Sequence, residues 1–113
     1  IYNKNGVKIA YKGIKDSDSY MGGKEVNLVI ENTASKNYTI QVRNFSANGT
    51  MIDPIFSCDV AAGKKAVDNI SIYESSLEEK GITDINRVEF YFIIYDSDNW
   101  SDSFTSETIK LSK

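Results

Sequence analysis

Residues 88–95 read Val88-Glu89-Phe90-Tyr91-Phe92-Ile93-Ile94-Tyr95. In an extended chain successive side chains point to opposite faces, so Val88, Phe90, Phe92 and Ile94 share one side and Tyr91, Ile93 and Tyr95 share the other. A stretch that is apolar on both faces predicts a central strand of a sheet. Its first face belongs in a core. Its second face is either covered by neighbouring side chains or left as a binding surface, where tyrosine fits because one end of the ring is apolar and the other stays wet.

Shorter runs of the same period lie on either side of it. Val7, Ile9 and Tyr11 alternate with lysines and an alanine. Val26, Leu28 and Ile30 form a second set, Tyr38, Ile40 and Val42 a third, and Phe56, Cys58 and Val60 a fourth. A fifth run spans about residues 66–73 with Val67, Ile70 and Ile72, and a last one covers about 104–111. With residues 88–94 as the sixth, this predicts seven strands.

The connections agree. Gly22-Gly23 breaks the chain before the second strand, and Asn48-Gly49 is the signature of a type I′ hairpin, whose two central residues need positive φ. Pro54 suits a strand start or an edge, since it has no N–H for a ladder. One short helix is expected at about 75–80, with Ser75 and Glu78 as a capping box, Lys80 in the last turn and Gly81 beyond it. It should tuck Leu77 and Ile82 under one end of the fold. The expected architecture is all-β: one domain over residues 1–113, a seven-stranded antiparallel immunoglobulin-like β-sandwich. Its core is expected from Val7, Ile9, Val26, Leu28, Ile30, Ile40, Val42, Phe56, Val60, Val88, Phe90, Phe92 and Ile94.

Composition narrows the function. Thirteen basic residues face 16 acidic ones, a net charge of −3, so the basic footprint of a nucleic-acid binder is missing and no such partner is expected. No run approaches the roughly 18 apolar residues of a membrane span, and no membrane contact is expected within this segment. The chain begins at Ile1 rather than methionine, so the expectation is an excised or mature piece of a longer polypeptide.

Histidine is absent. That removes the usual general base and the commonest transition-metal ligand, and neither a Ser-His-Asp nor a Cys-His pair can be assembled. Cys58 sits between Phe56 and Val60 in the alternation and reads as a small core residue rather than a nucleophile. Carboxylate pairs such as Asp96 and Asp98 could imitate a glycosidase dyad, but a small sandwich offers little room for the cleft that dyad needs. Two acidic loops, Asp16-Ser17-Asp18-Ser19 and Asp96 to Asp102, carry alternating oxygen donors. The second lacks the glycine and terminal glutamate of an EF-hand, the two are expected at opposite ends, and these residues are default turn formers. No metal and no cofactor are expected, and the chain is not expected to be an enzyme.

Several segments carry a family likeness: Ile30-Glu31-Asn32, Ile40-Gln41-Val42-Arg43-Asn44, Asn48-Gly49, residues 59–65 (Asp-Val-Ala-Ala-Gly-Lys-Lys) and Ile94 through Trp100. Together they resemble uncharacterised immunoglobulin-like modules of secreted or membrane-anchored proteins from Gram-positive gut bacteria. The resemblance implies an extracytoplasmic accessory domain and brings no catalytic residues with it.

Immunoglobulin-like order places the third strand beside the sixth, and so Arg43 beside Tyr91 and Tyr95, with Trp100 in the loop that follows. Tyrosine and arginine together are an interface composition. The leading expectation is a non-catalytic interaction module that binds another protein or its own copy through Arg43, Tyr91, Tyr95 and Trp100. The alternative is a carbohydrate-binding module that uses Tyr91, Tyr95 and Trp100 as stacking platforms. A continuous mixed patch favours the first, and a coplanar exposed aromatic row favours the second.

Overall fold

The computed structural model describes residues 1–18, 20 and 22–113. Ser19, the last residue of the first acidic loop, lies outside the described residues. The chain is an antiparallel, sandwich-like all-β arrangement. Its elements are β1 (Tyr2–Lys4), β2 (Val7–Asp16), β3 (Lys24–Asn32), β4 (Tyr38–Ala47), β5 (Thr50–Met51), β6 (Ser57–Val60), β7 (Lys65–Ile72), α1 (Glu74–Glu79), β8 (Arg87–Asp96), β9 (Asn99–Thr105) and β10 (Ile109–Ser112). No helix among the described residues is long and apolar enough to cross a membrane.

One sheet has the order β1-β2-β3-β7. The other is built on β4 and β8, paired from Tyr38↔Asp96 to Arg43↔Tyr91 and on past a bulge. The far edge of β8 is shared by β10 near its start and β9 near its end. The far edge of β4 is shared by β6 and β5. One buried cluster joins the inner faces, and the Tyr2 ring meets Phe92 edge-on at 6.3 Å to link the two sheets.

The described residues hold ten strands rather than seven, for identifiable reasons. Asn5 (φ 55°) and Gly6 (φ 79°) form a tight turn that folds β1 back on β2, Lys4 opposite Val7. The last expected run divides into β9 and β10, and Trp100 therefore sits in a strand and not in a loop. Asn48-Gly49 makes the expected hairpin, φ 52° and 87°, and adds β5.

Every expected core residue is buried except Phe56, which lies just before β6 and only packs against the cluster's margin. Val67 points away from Ile70 and Ile72 and is 78% exposed, because an odd offset along a strand changes face. Phe45 and Ala47 are buried although strict alternation from Val42 sends them outward. The cause is a bulge: Arg43 pairs with Tyr91 but Ser46 with Glu89, so β4 holds one residue extra, and Asn44 takes φ 54° there.

The helix starts earlier than expected. Tyr73, extended at φ −69° and ψ 149°, occupies the N-cap with no side-chain cap, so Ser75 and Glu78 form no capping box. The preceding backbone is fixed by close packing: a Cβ on Gly23, itself at φ 95°, would collide with the Ile72 carbonyl and the Glu74 amide. At the C-terminal end Gly81 takes the expected left-handed position. Gly81 (φ 70°) donates to the Glu78 carbonyl at 3.1 Å and Ile82 to that of Leu77 at 2.9 Å, a Schellman closure that seats buried Leu77 and Ile82. Lys80 is the C-cap residue rather than part of the last turn.

Candidate functional site

The outer face of the β4–β8 sheet gathers the expected residues. Cross-strand pairs on this face are Thr39 with Tyr95, Gln41 with Ile93 and Arg43 with Tyr91. Tyr91, Ile93 and Tyr95 are half-buried, as are Gln41 and Arg43, so the residues form a continuous patch of mixed apolar and polar character.

Arg43 is held in place. Its guanidinium donates to Gln41 Oε1 at 2.8 Å, to the Val42 carbonyl at 3.0 Å and, more distantly, to the Tyr95 hydroxyl at 3.4 Å. Among the described residues its charge enters no ion pair, whereas Lys24, Lys36 and Lys113 all do. A fixed guanidinium among aromatic rings, without a carboxylate of its own, is able to engage an acidic group presented from outside.

Trp100 joins the patch through an irregularity in β9. Tyr95 pairs with Ser103 and Asp96 with Asn99, which leaves Trp100, Ser101 and Asp102 without opposite residues. The chain bulges there, and the indole lies over Tyr95 with centroids 4.6 Å apart and planes inclined by 40°. Trp100 stays 53% exposed. The two rings are tilted, not coplanar, and do not form a flat row.

Beside Trp100 lies a cleft of about 340 Å³, lined also by Asn37, Thr39, Asp59, Ala61 and Ser97 and floored by Tyr38 and Val60. Pattern reading of the sequence did not find it, because its walls come from β6, the β6–β7 turn and the β8–β9 turn. Thr39 lies at its base, 3% exposed, with Oγ1 2.7 Å from Asp59 Oδ1 and 2.8 Å from Ser97 Oγ. Asn37 ties the walls together. Its Oδ1 accepts from the Ala62 amide at 2.9 Å, its carbonyl accepts from the Ser97 amide at 2.8 Å, and its Nδ2 approaches Asp98 at 3.4 Å. Buried Asn32 braces the same end, donating to the Lys36 and Val60 carbonyls and accepting from the Ala34 amide.

The remaining chemical candidates fall elsewhere. Cys58 is buried, and burial, aided by Asp68 and Asp59, pushes its thiol up to about 12. Such a thiol carries almost no thiolate near neutrality. In the second acidic loop the Lys36 ammonium lies 3.8 Å from Asp96 and 3.2 Å from Asp102, where a cation-binding reading would put a metal ion. Asp16 is paired with Lys24 at the end of β2, whereas Asp96 stands opposite Tyr38 at the other end of the strands. The two acidic loops are therefore at opposite ends, as their strand order implied. Compared with protein-family models, curated proteins and solved structures, the chain matches none of them.

Proposed function

We propose that this chain is a non-catalytic interaction module, which binds another protein or a second copy of itself through the outer face of the β4–β8 sheet. Tyr91, Tyr95 and Trp100 are its aromatic anchors, and Arg43 meets an acidic group on the partner. The observation that carries this reading is the Arg43 guanidinium, fixed and without an ion pair among the described residues, set among half-buried tyrosines on the two central strands. Rigid aromatics around an arginine give contact area at low entropic cost, and such residues dominate binding energy at interfaces.

The absence of histidine and the suppressed Cys58 thiol support a non-catalytic role. The strand order supports an immunoglobulin-like reading of the sandwich, with β2, β3 and β7 standing for A, B and E and β4, β8 and the β9–β10 pair for C, F and G. The family likeness of the sequence supports an extracytoplasmic, secreted or surface-anchored setting. No nucleic acid and no membrane contact belong to this reading.

Tyr91→Ala tests it. Tyr91 stands opposite Arg43 on an open face, so the expected stability loss is about 1 kcal/mol or less, while association, with itself or with a partner from the same cells, weakens about tenfold or more. Unchanged association in the folded variant contradicts the proposal.

A further inference from the structure

We infer that the cleft beside Trp100 is a second binding site, and that it takes a short neutral saccharide. The cleft shares Trp100 with the sheet-face reading, and Asp59 separates the two, since it lines the cleft and is not part of the proposed protein surface.

The chemistry of the walls selects the ligand. The lining carries the exposed indole of Trp100 and the carboxylate of Asp59. An aromatic face bears partial negative charge and attracts the slightly positive C–H groups of a pyranose ring face. A carboxylate is the strongest acceptor for a ligand hydroxyl. Asp59 Oδ1 is engaged by Thr39, and its second oxygen forms no hydrogen bond or ion pair with the described residues. The Ser97 hydroxyl, held 2.8 Å from Thr39 on the β8 side of β4, adds a further hydroxyl to the lining.

Other ligand classes fit worse. Among the described residues the lining contains no lysine or arginine, and Asp59 repels anions, so phosphates and carboxylates are disfavoured. Quaternary ammonium recognition uses a cage of several aromatic rings, and among the described lining residues Trp100 is the one exposed ring. The volume, about 340 Å³, lies at the small end of the roughly 300–1,000 Å³ typical of ligand sites, which suits a chain end or a short segment rather than a long polymer.

The cleft is built before any ligand arrives. Thr39 is fixed to both walls, Asn37 ties the β6–β7 and β8–β9 turns to β4, and Asn32 ties Val60 to the β3–β4 turn. Polar groups already held in place lose little entropy on binding.

Trp100 is the sole tryptophan of the chain, so its fluorescence reports on the cleft. The test titrates the whole domain with cellotriose, chitotriose, mannotriose, tetramethylammonium and inorganic phosphate, each to about 10 mM. It is followed by tryptophan fluorescence and by amide shifts in two-dimensional NMR. The expected result is saturable binding of at least one trisaccharide, with shifts centred on Thr39, Asp59, Ala61 and Ser97. Asp59→Asn, which keeps an acceptor for Thr39, should weaken it about tenfold. Trp100→Ala, read by NMR, should abolish it, and Tyr91→Ala should leave it unchanged. Three results overturn the inference: no trisaccharide binds, only tetramethylammonium or phosphate binds, or trisaccharide binding survives Trp100→Ala. Loss of protein association in Tyr91→Ala with sugar binding intact separates the two sites.

Discussion

Phe90→Ala is the substitution that most directly probes the reading of β8. Phe90 is 1% exposed on the inner face of the central strand. Its ring stacks on Phe45 at 5.6 Å and 21° and meets Phe92 at 5.0 Å and 81°. Phenylalanine-to-alanine changes in cores cost about 3–5 kcal/mol, from lost transfer energy and the cavity left behind. Aromatic pairs contribute about 0.5–1.5 kcal/mol beyond buried area, so the upper part of that range applies, about 4–5 kcal/mol. At about 4 °C per kcal/mol, interpolated for this size of domain, the melting temperature falls by about 16–20 °C. Phe56 is the internal control. It only packs against the margin of the core, so Phe56→Ala should cost about 1–2 kcal/mol. Urea melts followed by far-UV circular dichroism measure both, and an unchanged m-value confirms that native stability is what moved. The reasoning is refuted if Phe90→Ala stays within about 1 kcal/mol of the parent chain, or if Phe56→Ala proves the more damaging.

Two further outcomes concern ionisation. Cys58 should resist thiol reagents at about pH 8 and react only as the domain unfolds, because burial has pushed the thiol up to about 12; rapid labelling of the native domain contradicts its burial. Its folded pKa lies above the unfolded value, so the neutral thiol is the form the fold favours, and stability declines as pH rises past the unfolded value of about 8.5. Asp84 has the opposite sign. Lys113, and then the Ile85 amide, hold its carboxyl below the usual range, and Lys24 does the same to Asp16. Stability from these groups is present above about pH 4 and is lost as pH falls through the lowered folded values. Asp84→Asn should therefore flatten the fall of melting temperature in acid; an identical acid profile contradicts the assignment.

Much of the fold was legible because burial imposes period two on strands. Val88, Phe90, Phe92 and Ile94, Val26, Leu28 and Ile30, and Ile40 and Val42 each lie at alternate positions on the inner face. What escaped depended on local backbone geometry. β1 is three residues long, too short for periodicity to register, and its marker was the Asn5-Gly6 turn, the same dipeptide type that correctly signalled the hairpin at Asn48-Gly49. Phe45 and Ala47 were hidden by the Asn44 bulge, which shifts the phase of β4 without leaving a gap in the sequence. The patch of Arg43, Tyr91 and Tyr95 could be anticipated because alternation and one strand adjacency suffice to assemble it. The cleft could not, since Asp59 reaches Thr39 only through the β6–β4 pairing and its walls are held by Asn32 and Asn37, which read in sequence as ordinary turn residues.

Site-specific photo-cross-linking tests the central claim most directly. p-Benzoylphenylalanine in place of Tyr91 puts a photoreactive benzophenone on the proposed surface, and the same group in place of Glu25, on the outer side of the β1-β2-β3-β7 sheet, serves as control for its bulk. Both proteins are made in the cells that produce the chain and irradiated. The account predicts a discrete adduct with another polypeptide, or with a second copy of the chain, from position 91 and none from position 25. No adduct from position 91, or the same adducts from both positions, contradicts it.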